Sequence, residues 1–362
     1  MFLKIVHASD FHIGASLSQF GTALSKKRGD EIRASLTRVV DFCKEKNADA
    51  LIIPGDLFDS HKPSKADKEF VINALSSLSP IPAYIICGNH DYMCSGSPFS
   101  EPSSFSENVH IFPCYEFSFE IPEKNVVFWG KSYSQPTIEP SFESCIFDKN
   151  KINIMLLHGD TAESSDTNII SKETLSALPC NYAAFGHIHA GEIFHTGKVK
   201  CAYSGAVEGH SFKDSAATGI IYAEISENET HLTPIDFSTR NFRYVDADVT
   251  DKTEEEIIAF VRPLLNDTDF FRLTLKGEFP ENSAPDTVFI KNSLDKDSFY
   301  IDIIDETIPC YDLESIEKEE SLRGAFLREL RKNATSEEDF ALAAKTGLDA
   351  LCGRIPDLGG AL

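Results

Sequence analysis

Five short polar clusters between residues 9 and 189 bring together carboxylate, amide and imidazole side chains. Hard divalent metal ions prefer ligands of these kinds. A site for two such ions needs one carboxylate that bridges them and an open face for substrate and water. The clusters supply seven candidate metal ligands: Asp10, His12, Asp56, Asn89, His158, His187 and His189.

Each cluster directly follows a short apolar run that reads as a strand buried on both faces. The runs are Phe2–Ala8, Ala50–Ile53, Pro82–Cys87, Ile152–Leu157 and Tyr182–Phe185. Apolar residues at helical spacing predict helices over Asp30–Lys46 and Ser64–Leu78. This alternation indicates an α/β domain, in which ligands bind beyond the carboxyl ends of the strands. We therefore expect the clusters to converge on one site, where Gly55, Gly88 and Gly186 allow sharp turns and close backbone approach.

No single cluster is specific on its own. A lone Asp-x-His pair is usually incidental, and a Gly-Asp step at a strand end is usually only a turn. The specific signal is the occurrence of all five clusters in this order, each at a predicted strand end. Four histidines outside the clusters are predicted to be structural or exposed: His7, His110, His195 and His231.

The composition limits the range of functions. The 362 residues suffice for about two domains. A formal net charge of −23 argues against a simple basic nucleic-acid-binding protein, although bound cations would invert the field locally. Nine scattered cysteines without a C-x-x-C pair indicate reduced thiols in a cytoplasmic protein rather than a cysteine-based zinc site. Neither a signal peptide nor an apolar run of about 20 residues, as a membrane span requires, is visible.

The pattern along the chain predicts three regions. Residues 1–240 form the domain that carries the clusters, with antiparallel strands at Val109–Phe112 and Val126–Gly130 and a second sheet over 199–238. Residues 241–310 read as a small α+β domain, and residues 311–362 as a helical segment. Acidic residues are denser in the C-terminal third, which contains 27 acidic and 14 basic residues.

The ordered clusters resemble those of the calcineurin-like metallophosphoesterases over about residues 1–225. Three stretches resemble, more narrowly, the SbcD-type DNA repair nucleases and their YhaO-like bacterial branch. They are residues 9–14, residues 55–59 followed by Pro63-Ser64, and residues 203–209 followed by Phe212, Asp214 and Gly219. The resemblance implies a two-sheet α/β/β/α sandwich with a small α+β capping domain and C-terminal helices.

The resemblance also implies roles for individual residues. One metal ion would be held by Asp10, His12, Asp56 and His189. The other would be held by Asp56, Asn89, His158 and His187, so that Asp56 bridges. The implied catalytic group comprises His90, Asp91 and Asp59. His90 would stabilise the transition state or protonate the leaving group, Asp91 would orient His90, and Asp59 would orient a ligand.

The donor set and the resemblance both favour two manganese ions, with iron, zinc and magnesium as alternatives. The implied partners are DNA and an SbcC-like, SMC-type ATPase. The C-terminal helices would dock on that ATPase through Leu322, Phe326 and Leu330; alternatively, this row packs on the capping domain. A homodimer formed through the helices at 30–46 or 64–78 is also expected.

Three functions remain open from the sequence. The first is a metal-dependent DNA exonuclease or endonuclease that acts in DNA repair with the ATPase. The second is a phosphodiesterase or phosphatase acting on nucleotides or small phosphoesters, which the acidic composition favours. The third is a scaffold without activity, and it ranks last because every ligand position is filled.

Overall fold

The computed structural model describes residues 2–138, 145–162, 168–215, 218–281 and 283–353. The chain forms two compact units, Met1–Arg243 (unit 1) and Tyr244–Leu362 (unit 2). All five polar clusters lie in unit 1. The predicted further boundary near residue 310 stays a prediction.

Two six-stranded sheets form the framework of unit 1. Its strands are β1 (Leu3–His7), β2 (Ala50–Pro54), β3 (Ala83–Ile86), β4 (Val109–Ile111), β5 (Phe117–Ile121), β6 (Val126–Gly130), β7 (Ile152–His158), β8 (Tyr182–Gly186), β9 (Glu192–Thr196), β10 (Val199–Tyr203), β11 (Gly219–Ile225) and β12 (Thr230–Asp236). Its helices are α1 (Thr22–Lys46), α2 (Lys65–Ser76) and α3 (Lys172–Ser176). The first sheet has the order β12-β11-β1-β2-β3-β4, and the second has the order β5-β6-β7-β8-β10-β9.

The two sheets pack face to face around a buried apolar core. Ile5 and Ile52 of the first sheet share this core with Ile154 and Ala184 of the second. Residues that alternate with these point to the outer faces, as the period of a strand requires. There, α1 and α2 cover the first sheet and α3 packs on the second. The predicted two-sheet α/β fold is confirmed.

Several predicted elements differ from the observed ones. Helix α1 begins at Thr22 rather than Asp30. Its first turns are polar and show no apolar pattern, but the Arg28 guanidinium is buried there and donates to Glu208 at 2.7 Å, which stabilises these turns. Strand β4 pairs parallel with β3 rather than antiparallel, whereas β6 pairs antiparallel with β5, as expected, and parallel with β7. The strands of 199–238 do not form one sheet, since β10 joins the second sheet while β11 and β12 extend the first. Ser64 caps α2 by accepting from Asp67 N.

Unit 2 combines a small sheet with helices. Its elements are β13 (Phe242–Asp248), α4 (Glu254–Val261), β14 (Phe270–Lys276), β15 (Glu278–Pro280), α5 (Thr287–Leu294), β16 (Tyr300–Asp305), β17 (Ile308–Cys310), α6 (Leu313–Glu317), α7 (Leu322–Asn333) and α8 (Glu337–Leu351). The sheet has the order β13-β14-β16, and β15 pairs with β17. Sequence analysis missed α5.

The last three helices have their own apolar cluster, in which Leu327 is fully buried. Phe326 and Leu330 of the predicted docking row pack against this cluster, whereas Leu322 is 73% exposed. Two thirds of that row therefore serve the packing of unit 2 itself. Within the described part of the chain, every helix is too short or too polar to cross a lipid bilayer.

Candidate metal centre

The five polar clusters meet where the strands of both sheets end. Parallel strands β1, β2 and β3 lead into the first three clusters, and parallel strands β7 and β8 lead into the last two. Groups of carboxylate and imidazole atoms close enough to hold a cation include Asp10 with His12 and His189, and Asp10 with Asp56 and His158. The sequence-predicted donors therefore lie in one site, although they come from different sheets.

Asp56 lies between two imidazoles. Its Oδ2 atom is 3.7 Å from His12 Nε2 and 3.4 Å from His158 Nε2. Its other oxygen accepts a hydrogen bond from the backbone N–H of His90 at 3.0 Å. One carboxylate oxygen thus faces donors of both predicted metal sites, which is the arrangement that a bridging ligand requires.

On one side of Asp56, the amide oxygen of Asn89 faces two histidines. Asn89 Oδ1 is 2.8 Å from His158 Nε2 and 3.0 Å from His187 Nδ1. His158 Nδ1 lies 2.9 Å from the carbonyl oxygen of Pro54, which can only accept, so Nδ1 carries a proton. In the neutral imidazole the Nε2 lone pair then faces the oxygen lone pairs of Asn89. These lone pairs repel each other unless a positive charge, a proton or a cation, lies against both.

On the other side, His12 and His189 approach each other. Their Nε2 atoms are 3.1 Å apart. Asp10 is buried beside them, and its carboxylate accepts from Ser9 Oγ at 2.6 Å and from the backbone N–H of His187 at 2.9 Å. These bonds fix the orientation of the carboxylate.

His90 occupies the open edge of the site. Its side chain is 45% exposed, and its Nδ1 lies 3.2 Å from the carbonyl oxygen of Asp59. The Asp59 carboxylate lies 3.2 Å from His12 Nδ1, so Asp59 contacts both histidines. This position matches the expected orienting role of Asp59, which stays a proposal.

Asp91 contacts backbone rather than the His90 ring. Its buried carboxylate accepts from the N–H groups of Leu57 at 2.8 Å, Phe58 at 3.2 Å and Gly88 at 2.7 Å. These bonds join the loop after β2 to the loop after β3. Among the described residues, Asp91 bonds these backbone groups and not the His90 side chain, so its expected role in orienting His90 stays a proposal.

Buried carboxylates dominate the electrostatics of the site. Asp56 is only 2% exposed. Burial opposes protonation of His158, but the charge of Asp56 outweighs it and raises the pKa of His158 to about 9. For His12, contact with Asp59 and the charge of Asp56 likewise outweigh burial and raise the pKa to about 9. Burial opposes ionisation of Asp56, but the neighbouring imidazoles hold its pKa well below the usual range.

The backbone is strained at four of the seven predicted ligands. Positive φ angles occur at Asp10 (53°), His12 (46°), Asp56 (52°) and His187 (93°). Residues other than glycine rarely adopt this region, and such strain concentrates at functional sites. The sequence pattern contains no signal for it.

The preceding glycines leave room for the donors, as predicted. A Cβ atom at Gly55 would lie 2.2 Å from His158 Nδ1, and one at Gly88 would lie 2.3 Å from Asp56 Oδ1. At Gly186 it would lie 2.1 Å from the carbonyl oxygen of Pro54. Any larger residue would displace a candidate ligand or its support.

Comparison with known proteins agrees with this site. A family model described as calcineurin-like phosphoesterase matches residues 3–191. The chain belongs to the calcineurin-like phosphoesterase family. It is 22% identical over 295 residues to the uncharacterized metallophosphoesterase YhaO of Bacillus subtilis (strain 168), covering 76% of this chain and 69% of that protein.

Two further similarities accompany this match. The chain is 25% identical over 293 residues to the SbcD subunit of the SbcCD nuclease of Staphylococcus epidermidis, covering 70% of this chain and 75% of that protein. A dimetal phosphatase from Danio rerio is 12% identical, with a TM-score of 0.42, covering 61% of this chain and 92% of that structure.

Calcineurin-like phosphoesterases use divalent metal ions, and the donors of this chain fit such ions. Carboxylate oxygens, an amide oxygen and imidazole nitrogens converge there, and no thiolate of the described residues joins them. The facing lone pairs of Asn89 and His158 need a positive charge against both, which a bound metal ion would supply in place of a proton. The assignment of individual ligands to each ion stays a proposal.

Sequence analysis missed two residues beside this phosphoesterase centre. Asp214 lies 2.8 Å from His189 Nδ1, and the His210 ring packs edge-on against His12 at 5.3 Å between centroids. Asp214 was part of a resembling stretch without an assigned role, so a signal for it existed.

The histidines predicted to lie outside the site do so. His7 is buried and bridges the sheets by bonding Tyr182 Oη and the Phe185 carbonyl oxygen. Burial lowers the pKa of His7 to about 3. His195 and His231 are exposed, and His110 is half-buried.

Proposed function

We propose that this phosphoesterase is a two-metal DNA nuclease that hydrolyses phosphodiester bonds in DNA repair. The proposal rests on the seven donors gathered around Asp56. The similarity to the SbcD subunit of the SbcCD nuclease over 70% of the chain supports DNA as the substrate. The proposed ligand sets are Asp10, His12, Asp56 and His189 for one ion, and Asp56, Asn89, His158 and His187 for the other.

Two divalent ions held by these residues would supply an activated water for attack on phosphorus and positive charge for the phosphoryl oxygens. Asp56 sets the separation of the two ligand groups, because one of its oxygens faces both. His90 acts on the leaving group. The Asp59 carbonyl accepts from His90 Nδ1–H, so in the imidazolium form the second proton lies on Nε2; the ring would pass that proton to the departing oxygen and become the neutral Nδ1–H tautomer. Asp59 is proposed to orient His12 rather than to contact phosphate.

Manganese is the proposed ion, since the donors combine carboxylates and an amide with imidazoles and lack thiolate. Iron, zinc and magnesium are the alternatives. Metal analysis of the purified chain distinguishes among them.

An SMC-type ATPase, similar to the SbcC partner that the name SbcCD implies for the Staphylococcus epidermidis protein, is the proposed partner. Leu322 remains the exposed member of the predicted docking row. Its charged flank also bonds within unit 2, where Arg323 pairs with Glu281 and Arg331 with Glu317. A homodimer also stays a proposal, since α1 and α2 bury their apolar faces against the first sheet. All nine cysteines are free, which is consistent with the proposed cytoplasmic location.

The test is a manganese-dependent assay on linear duplex and single-stranded DNA. Asp56→Asn should abolish cleavage, and His90→Ala should slow it by about 10²–10⁴-fold. Activity that persists in both variants would contradict the assignment of the centre. Because DNA binding releases counterions, affinity should also fall steeply as salt is added.

The acidic composition favours a second candidate, hydrolysis of nucleotides or small phosphoesters. Polyanion binding normally uses a basic surface, and this chain carries a net charge of −23. Salt-insensitive turnover of cyclic nucleotides, with none on DNA, would select this candidate over the nuclease.

A further inference from the structure

Asp214 is placed where both of its carboxylate oxygens accept hydrogen bonds. It ends a short turn, Phe212–Asp214, and is 9% exposed. Its Oδ1 atom lies 2.8 Å from His189 Nδ1. Its Oδ2 atom accepts from the backbone N–H groups of His210 at 2.8 Å and Ser211 at 3.1 Å. The two backbone bonds fix the carboxylate against the turn, so the imidazole must adapt to it.

We propose that Asp214 is a positioning residue that fixes His189 for metal binding and makes the two metal sites unequal in affinity. This inference rests on the proposed function. A carboxylate that accepts from Nδ1–H leaves the Nε2 atom of His189 with its lone pair toward Asp10 and His12. Such a partner also raises the basicity of a metal-binding imidazole and fixes its ring plane.

The support of the other histidines is asymmetric. His12, on the same side as His189, also has a carboxylate near its Nδ1, that of Asp59 at 3.2 Å. On the opposite side, His158 Nδ1 faces the uncharged carbonyl of Pro54. A carboxylate therefore holds His189 by a hydrogen bond and another lies near His12, whereas a neutral carbonyl supports His158.

An amide at position 214 cannot replace the carboxylate. The side chain of Asp214→Asn has one acceptor oxygen and one NH₂ donor. If its oxygen faces the two backbone N–H groups, its NH₂ faces His189 Nδ1 and favours the wrong tautomer. If it is reversed, the NH₂ faces two backbone donors. The first orientation removes the acceptor for His189 Nδ1–H, and the second keeps that acceptor but loses the two backbone bonds that hold the side chain in place. Neither orientation touches His158.

Ser211→Ala provides a matched control in the same turn. The Ser211 hydroxyl accepts from Lys213 N, whereas its backbone N–H, retained in alanine, donates to Asp214. This variant removes a capping bond of the turn and keeps the carboxylate. It separates loosening of the turn from loss of the His189 partner.

The experiment is calorimetric titration of Mn²⁺ into the metal-free full chain, combined with anomalous scattering from manganese-soaked crystals. The wild type should bind two ions. Asp214→Asn should weaken one binding step by about 10–100-fold and reduce the anomalous peak beside His189, with the other step unchanged. Ser211→Ala should match the wild type.

Two unchanged steps in Asp214→Asn, or two equally weakened steps, would overturn the inference while leaving the proposed function in place. A wild type that binds no Mn²⁺ is titrated with Zn²⁺, Fe²⁺ and Mg²⁺ in the same way, and binding of none of these ions would overturn the proposed function and this inference with it. If Asp214→Asn does not fold, long-range ¹H–¹⁵N spectra of the metal-free wild type decide. His189 in the Nδ1–H tautomer supports the inference, and the Nε2–H tautomer refutes it.

Discussion

Replacing Asp91 by asparagine should destabilise unit 1 through the backbone rather than through the reacting groups. The Asp91 carboxylate accepts three backbone N–H groups, two on Oδ2 and one on Oδ1. Asparagine has only one acceptor oxygen. Its best placement keeps Leu57 and Phe58 satisfied, and it turns the NH₂ group toward the N–H of Gly88.

The structure sets the size of this effect. One buried donor loses its partner, which costs about 1–3 kcal/mol. A domain is typically stable by about 5–15 kcal/mol, so the variant folds at reduced stability. His90 gives the opposite expectation, because its exposed side chain contributes within about 0.5 kcal/mol to stability. Loss of general acid catalysis at His90 should slow hydrolysis by about 10²–10⁴-fold.

Urea unfolding followed by tryptophan fluorescence measures the stability of unit 1 specifically. Trp129 is the single tryptophan of the chain and lies in the core on β6. Asp91→Asn should lower the unfolding midpoint, and His90→Asn should leave it in place. Hydrolysis is then measured for both variants well below either midpoint.

One result would contradict the assignment of Asp91 to the two loops. If Asp91→Asn unfolds at the wild-type midpoint while its hydrolysis falls as far as that of His90→Asn, Asp91 acts on the reacting groups and not on the loops.

Two further predictions concern acid stability and the glycines. The pKa of His7 is about 3 in the folded state against 6.5 in the unfolded state, so the unfolded state binds more protons between these pH values. The free energy of unfolding of unit 1 should therefore fall by up to about 1.4 kcal/mol per pH unit as pH falls through this window. Urea unfolding followed by tryptophan fluorescence measures this slope, and His7→Gln should make it shallower. Gly55→Ala should displace His158 and so reduce both the number of manganese ions bound and the rate of hydrolysis. Gly21→Ala is the control, because Gly21 also has a positive φ but has no neighbour within 4 Å of the added Cβ, and it should retain both. Equal losses in the two variants would assign the effect to backbone strain alone.

Much of the site could be predicted because its chemistry follows local sequence. Strands buried on both faces are short apolar runs, and polar residues that directly follow them lie at the sheet edge. Asp56 and His158 illustrate the point, since each was placed at a strand end from its neighbours alone. The glycines were predictable for the same reason.

What the sequence could not predict depends on distant contacts. The early start of α1 follows from the pairing of Arg28 with Glu208, which lies 180 residues away. The parallel pairing of β4 depends on its neighbour β3 and not on its own residues. The partnership of Asp214 with His189 requires the turn after β10 to fold back, and the positive φ angles depend on bonds from both sheets. In each case contacts with distant residues, rather than the intrinsic propensity of the local sequence, decide the structure.

The buried carboxylates connect folding with metal binding. Asp10 and Asp56 are removed from water, and an ionised carboxylate in that environment needs a compensating positive charge. In the metal-free chain that charge is a proton, because the pKa values of His12 and His158 are raised to about 9. A divalent cation requires the same nitrogens unprotonated, so its binding must release these protons. Affinity for the cation should therefore weaken as pH falls. The repulsion between Asn89 and the neutral His158 is relieved by the proton in the metal-free chain and by the cation in the metal-bound chain.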